Sequence, residues 1–136
     1  MNESRLHHLA CGTRDVVRLA RFYAEVLGLP EVARHFEADG SLRSIWLDLG
    51  GTLLMIEHTR SSPDPVSGVG PGLFLLALRV SPEERRAFES RLAEAGVEIE
   101  SRSEWTSYAR DPDGNRIALS HYPKAAPAEP AAAKPG

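Results

Sequence analysis

The sequence predicts an α+β fold in which two halves each repeat the order βαβββ, every half a curved sheet backed by one helix. Three observations carry that prediction. Two helical apolar stripes stand in a chain that otherwise alternates with period two. Each stripe follows one strand-like run and precedes three more. Between the halves lies TRSSPDPVSGVGPG, a Pro, Gly and Ser run without periodicity. Helices are too few for a Rossmann unit and too regular for a sandwich. The organisation is therefore one domain over 1–122, built from a module at 1–60, a linker at 61–71 and a module at 72–122.

In the first half, RLHHLAC reads as a strand and Asp15 as the N-cap of a helix. Val16, Leu19, Ala20, Tyr23, Val26 and Leu27 form that helix's apolar stripe, which Gly28 ends. Strands EVARHFEA, LRSIWLDL and TLLMIEH follow, separated by the turns DGS and GG. In the second half the strand LFLLALRV runs into SPEE, where Ser81 caps, Pro82 suits the first helical position and Glu84 completes a capping box. Phe88, Leu92 and Ala95 carry the helix to Gly96, and VEIES, WTSYAR and RIALSHY close the pattern. Asp113-Gly114 supplies the positive φ of a hairpin turn, so alternation sets Ile117 and Leu119 on one face and Ala118, Ser120 and Tyr122 on the other.

Composition narrows the function. A chain of 136 residues buries roughly two-thirds of its unfolded surface and needs neither metal nor disulfide to fold, so any metal would serve function. Sixteen Lys and Arg stand against 19 Asp and Glu, scattered rather than clustered, which argues against a nucleic-acid surface. Cys11 alone makes no internal disulfide, and no apolar run reaches the roughly 18 residues of a membrane span. The opening MNESRLHH lacks an apolar signal core. The expectation is a cytoplasmic protein whose partner is a small molecule or another subunit. From Pro123 onward Ala, Pro, Lys and Glu offer nothing to bury, and residues 123–136 read as a disordered tail.

LHHLACGTRD, RFYAEVLGL and DPDGNRIAL together resemble the vicinal oxygen chelate superfamily, which contains glyoxalase I, fosfomycin- and bleomycin-resistance proteins and extradiol dioxygenases. The resemblance covers about residues 6–122. It implies paired βαβββ modules forming a cup, a homodimer, and in many members a divalent metal at the base of the cup. In metal-dependent relatives, ligands come from the first, fourth, fifth and eighth strands. Those positions fall here on His8, Glu57, Leu75 and Ala118. The first two suit zinc, nickel, manganese or iron; the last two coordinate nothing. Counting back from the helix-ending glycines, 20 residues to His8 and 21 to Leu75, supports the placement.

Two readings follow. Loss of two ligands favours a metal-free protein, similar to the bleomycin-resistance branch, that binds or sequesters an aromatic or heterocyclic molecule without a cofactor. Retention of His8 and Glu57 favours a lyase, isomerase or dioxygenase-like enzyme that uses them with a weak divalent metal or as an acid/base pair. Trp46, Met55 and Tyr108 are candidates for the ligand wall beside His8, Glu57, Leu75 and Ala118, Tyr108 sharing Ala118's face if Arg110 pairs with Arg116. His7, Cys11, His58 and His121 project to the helix-packed face or to strand ends, and His35 lies on an outer strand. Arg43, Arg79 and Arg116 can hold an anion but read as solvated faces.

Overall fold

The structure is a computed structural model that describes residues 5–64 and 66–123; all but the first residue of the expected tail lies outside them. By its internal contacts the chain divides into two units. The first comprises the described residues before position 65 together with Asp111–Gly114, and the second Val66–Arg110 and the described residues from Asn115.

In the first unit β1 (His8–Thr13) leads into α1 (Val16–Arg21), which continues as a π-helical turn over Phe22–Val26, and then into β2 (Glu31–Phe36), β3 (Leu42–Asp48) and β4 (Leu53–His58). The strands form one mixed sheet in the order β1-β4-β3-β2, with β1 parallel to β4. Asp15 caps α1 by accepting from the Arg18 N–H at 3.0 Å. The widened turn is closed by Leu27 N–H donating to the Phe22 carbonyl, and Gly28, at φ 75°, lets the chain leave the helix. Val16, Leu19, Ala20, Phe22, Tyr23 and Leu27 are buried, as are Ile45, Leu47, Leu54 and Ile56 on the sheet face toward α1.

In the second unit β5 (Leu76–Arg79), α2 (Pro82–Glu94), β6 (Ser101–Arg102), β7 (Thr106–Arg110) and β8 (Arg116–Ser120) give a second mixed sheet, ordered β5-β8-β7-β6 with β5 parallel to β8. The predicted capping box is present: Ser81 Oγ accepts from Glu84 N–H at 3.0 Å, and Glu84 Oε1 accepts from Ser81 N–H at 2.8 Å. Of the expected stripe Leu92 is buried, Phe88 half-buried and Ala95 exposed. Polar docking supplements it. Arg85 donates to Ser107 Oγ at 2.7 Å and to the carbonyls of Ser103, Glu104 and Thr106 at 2.9 to 3.0 Å.

Five expected strands are shortened by one or two residues, and three others start three or more residues late. RLHHLAC begins pairing only at His8 and extends to Thr13. LFLLALRV is a strand only from Leu76, which pairs with Ile117; in this register Leu73 and Phe74 fall before the start of β8 at Arg116. VEIES contributes only its last residue to β6, since Gly96 N–H and Val97 N–H close the end of α2 on the carbonyls of Ala93 and Leu92. No helix among the described residues is long and apolar enough to cross a membrane.

Candidate functional site

Alternation in the first sheet buries Ile45, Leu47, Leu54 and Ile56 toward α1 and turns the residues between them to the opposite, open face. There Trp46 pairs with Met55 on β4 and Ala33 on β2. The indole is half-buried and has two polar neighbours: Nε1 donates to Glu57 Oε2 at 3.3 Å, and the His35 ring lies 4.3 Å away, centroid to centroid. His8 is exposed at the start of β1, its Nδ1 2.9 Å from that of His7. Its register partner is Leu53, whereas Glu57 stands opposite Gly12. Four residues of strand between them amount to about 13 Å. The anticipated His8–Glu57 pair is therefore not brought together, because parallel pairing fixes each residue's height along the sheet and these two heights differ.

The second sheet has a corresponding face, which is largely covered at β8. Ala118 pairs with Ala77 on one side and Tyr108 on the other, with Leu75 just ahead of β5. Arg110 does pair with Arg116, and Tyr108 does share Ala118's face. Ala118 is 1% exposed. Arg43 and Arg79 are exposed as expected, but Arg116 corrects its assignment to a solvated face: its side chain is only 10% exposed. It stacks on the Phe74 ring at 4.3 Å and donates from Nε to Glu100 at 3.2 Å, while Arg110 donates to the same carboxylate at 3.1 Å. Burial works to raise the Glu100 pKa, but the two guanidinium hydrogen bonds outweigh it and hold the carboxyl below its usual range.

Register also fixes which residues of the two units correspond. Thr13 and Val80 are the last buried residues before the two helix caps. Counting back from them matches His8 with Leu75, the pair Ala10–Met55 with the pair Ala77–Ala118, and Gly12–Glu57 with Arg79–Ser120. The repeat of Ala118 is thus Met55, and Glu57 lies two residues beyond. The four corresponding positions hold one imidazole, one thioether and two aliphatic groups, which do not fit a divalent ion that demands imidazole, carboxylate or thiolate donors. Among the described residues no group of three or more His, Cys, Asp and Glu side chains could hold a metal.

Ser44, which the sequence reading passed over, and His35, expected on an outer strand and found on the edge strand β2, complete this face of the first sheet. His35, Ser44, Glu57 and Gly12 form one cross-strand row over β2, β3, β4 and β1. Ser44 is fully buried, and neither its Oγ nor the buried His35 Nε2 has a hydrogen-bond partner among the described residues. The signal available in the sequence was Ser44's place two residues before Trp46, on the same face. The row sets the half-buried Glu57 carboxylate beside an aromatic wall, while the Ser44 hydroxyl and His35 Nε2 are enclosed.

The family model described as Glyoxalase/Bleomycin resistance protein/Dioxygenase superfamily matches residues 5–119. Among solved structures, a glyoxalase/dioxygenase from Nostoc punctiforme is 22% identical with a TM-score of 0.71, the match covering 85% of this chain and 88% of that one. A mutant fosfomycin resistance protein, FosX, from Listeria monocytogenes, complexed with Mn(II) and 1S,2S-dihydroxypropylphosphonic acid, is 18% identical with a TM-score of 0.72 over 88% and 94%. Lactoylglutathione lyase from Agrobacterium tumefaciens is 19% identical with a TM-score of 0.66 over 88% and 95%. These structural likenesses establish the fold. No curated protein matches the chain.

Proposed function

Since the chain belongs to the Glyoxalase/Bleomycin resistance protein/Dioxygenase superfamily, we propose that it is a metal-free member that binds and sequesters a small aromatic or heterocyclic molecule. The observation that carries this reading is the half-buried indole of Trp46 on an open sheet face, beside Glu57 and His35. A flat ring stacks on it, and the ring's polar edge meets the half-buried Glu57 carboxylate. An enzyme using His8 and Glu57 as an acid/base pair draws no support from the register, which sets them four residues apart. A homodimer is part of the reading: β2 is a sheet edge carrying Val32 and Phe36 at 53% and 58% exposure, and a second copy would cover it. So is a cytoplasmic location, which the lone cysteine suits.

The test uses quinoline, indole and adenine as probes, with Trp105→Phe as background so that fluorescence reports Trp46. A probe that stacks should quench that signal, and Trp46→Ala should weaken its binding about tenfold, the scale of about 1 to 1.5 kcal/mol for an aromatic pair. The metal content of dialysed protein should be far below one equivalent. Unchanged binding by Trp46→Ala, or a stoichiometric metal lost on His8→Ala, would overturn the proposal.

A further inference from the structure

We propose that residues 66–74 form a strap whose two ends are held by one carboxylate, that of Glu100, and that withdrawing this carboxylate releases both ends together and uncovers Arg116. The inference is independent of the binding reading for the first sheet. The described residues 66–75 join no helix or strand. Arg110 Nη1 donates to the Val66 carbonyl at 2.6 Å, and the Arg116 guanidinium lies over the Phe74 ring, 4.3 Å from its centroid. Each arginine therefore carries one end of the strap. Both are oriented by Glu100, whose Oε2 accepts from Arg110 Nε at 3.1 Å and whose Oε1 accepts from Arg116 Nε at 3.2 Å.

The stretch between these anchors does little to hold itself. Val69 and Leu73 are 85% and 80% exposed, and a side chain added at Gly68 or Gly70 would meet no atom within 4 Å. With so few contacts of its own, the segment takes its position from its ends. The ends in turn depend on charge. Arg110 and Arg116 stand directly opposite each other across β7 and β8, and like charges so placed repel. Glu100 offsets that repulsion with two charge-assisted hydrogen bonds. Its own place is fixed separately, because the Glu100 N–H donates to the Tyr108 carbonyl at 2.7 Å. Loss of the carboxylate leaves two cations facing each other, which turns both guanidiniums outward and takes Val66 and Phe74 with them. The Arg116 side chain, 10% exposed while the strap is closed, then meets solvent.

Backbone and arginine side-chain nitrogen-15 relaxation on the intact protein tests the strap. In the wild type the Val66 and Phe74 amides should have order parameters near the rigid value of about 0.85, and Glu100→Gln should lower both below about 0.6. The glutamine keeps one acceptor oxygen and turns a donor toward the second arginine. Arg110→Gln should loosen the Val66 end alone, and Arg116→Gln the Phe74 end alone. Glu31→Gln, which weakens an exposed carboxylate–arginine contact in the first unit, should leave the strap as it was. Ends already mobile in the wild type, ends that stay rigid in Glu100→Gln, or loosening shared equally by the β7 and β8 amides would each overturn the proposal. Should the variants not fold, the wild type still decides: the Nε–H groups of Arg110 and Arg116 must both be markedly more rigid than that of exposed Arg79, and mobility equal to that of Arg79 in either one rejects the shared latch.

Discussion

Replacing Tyr23 with Phe removes a single oxygen from the centre of the first unit. The Tyr23 hydroxyl donates to Asp111 Oδ2 at 2.7 Å, and the two residues are 2% and 4% exposed. Burial first, and the Asp111 charge second, push the phenol pKa far upward, so Tyr23 remains a donor at every working pH. The ring's packing survives in Tyr23→Phe, and the loss is that of a hydrogen bond to a charged acceptor shielded from solvent, about 1.5–3 kcal/mol. For a chain of this length, roughly 3–5 °C of melting temperature accompany each kcal/mol, so thermal unfolding should fall by about 5–15 °C. Gly114 N–H, which donates to the Asp111 carbonyl at 2.9 Å, should exchange faster in the variant. Combining Tyr23→Phe with Asp111→Asn should cost less than the sum of the two, by about 1 kcal/mol or more. A loss below about 0.5 kcal/mol, or strict additivity, would refute the assignment of this bond as a main tie of the Asp111–Gly114 turn.

Other expectations follow from local chemistry. Burial, then Asp111 and Asp113, raise the Cys11 thiol to about 11, so at pH 8 a disulfide reagent should modify it roughly a hundredfold more slowly than a free cysteine, the rate climbing about tenfold per pH unit up to that value; free-thiol kinetics at pH 8 would contradict this. Ser81→Ala should cost about 1 kcal/mol in urea unfolding by opening the capping box of α2, with Glu84→Ala adding less on top of it than alone. Hydrogen bonding from Arg102, opposed by burial and aided by Ser107, lowers the Glu89 pKa. Its stabilisation is therefore full above the ordinary value of 4.5 and is lost as pH falls through the lower folded value. Stability contributed by this contact should be flat from pH 7 to 5, and Arg102→Met should shrink the acid-side decline; an unchanged acid limb counts against the contact.

Local signals in the chain were legible where one residue type has one physical use. Ser81, Pro82 and Glu84 fixed the start of α2, Asp15 that of α1, and the Asp-Gly turn the pairing of Tyr108 with Ala118. Periodicity also assigned Trp46 and Met55 to one face. What it could not carry was height along the strands. Glu57 and Met55 share a face, and only the pairing of β1 with β4 reveals that Met55 corresponds to Ala118. Burial of polar groups was equally hidden: nothing in a sequence marks Ser44 as fully enclosed or Arg116 as desolvated, because both depend on what the neighbouring strands place beside them. The π-helical turn at Phe22–Val26 was likewise unmarked, since its apolar stripe suits an ordinary helix.

The interleaving of faces has a consequence for how such a chain changes through descent. Ile45, Leu47, Leu54 and Ile56, and likewise Ile117 and Leu119, alternate with Ser44, Trp46, Met55, Glu57 and Ala118. Selection for folding and selection for a ligand therefore act on alternate letters of the same strands. A recognition group can migrate along a strand only in steps of two, as the offset between Met55 and Glu57 illustrates, for a step of one would trade a core residue for it. Lineages built on this sheet can accordingly exchange chemistries while their folding determinants stand still.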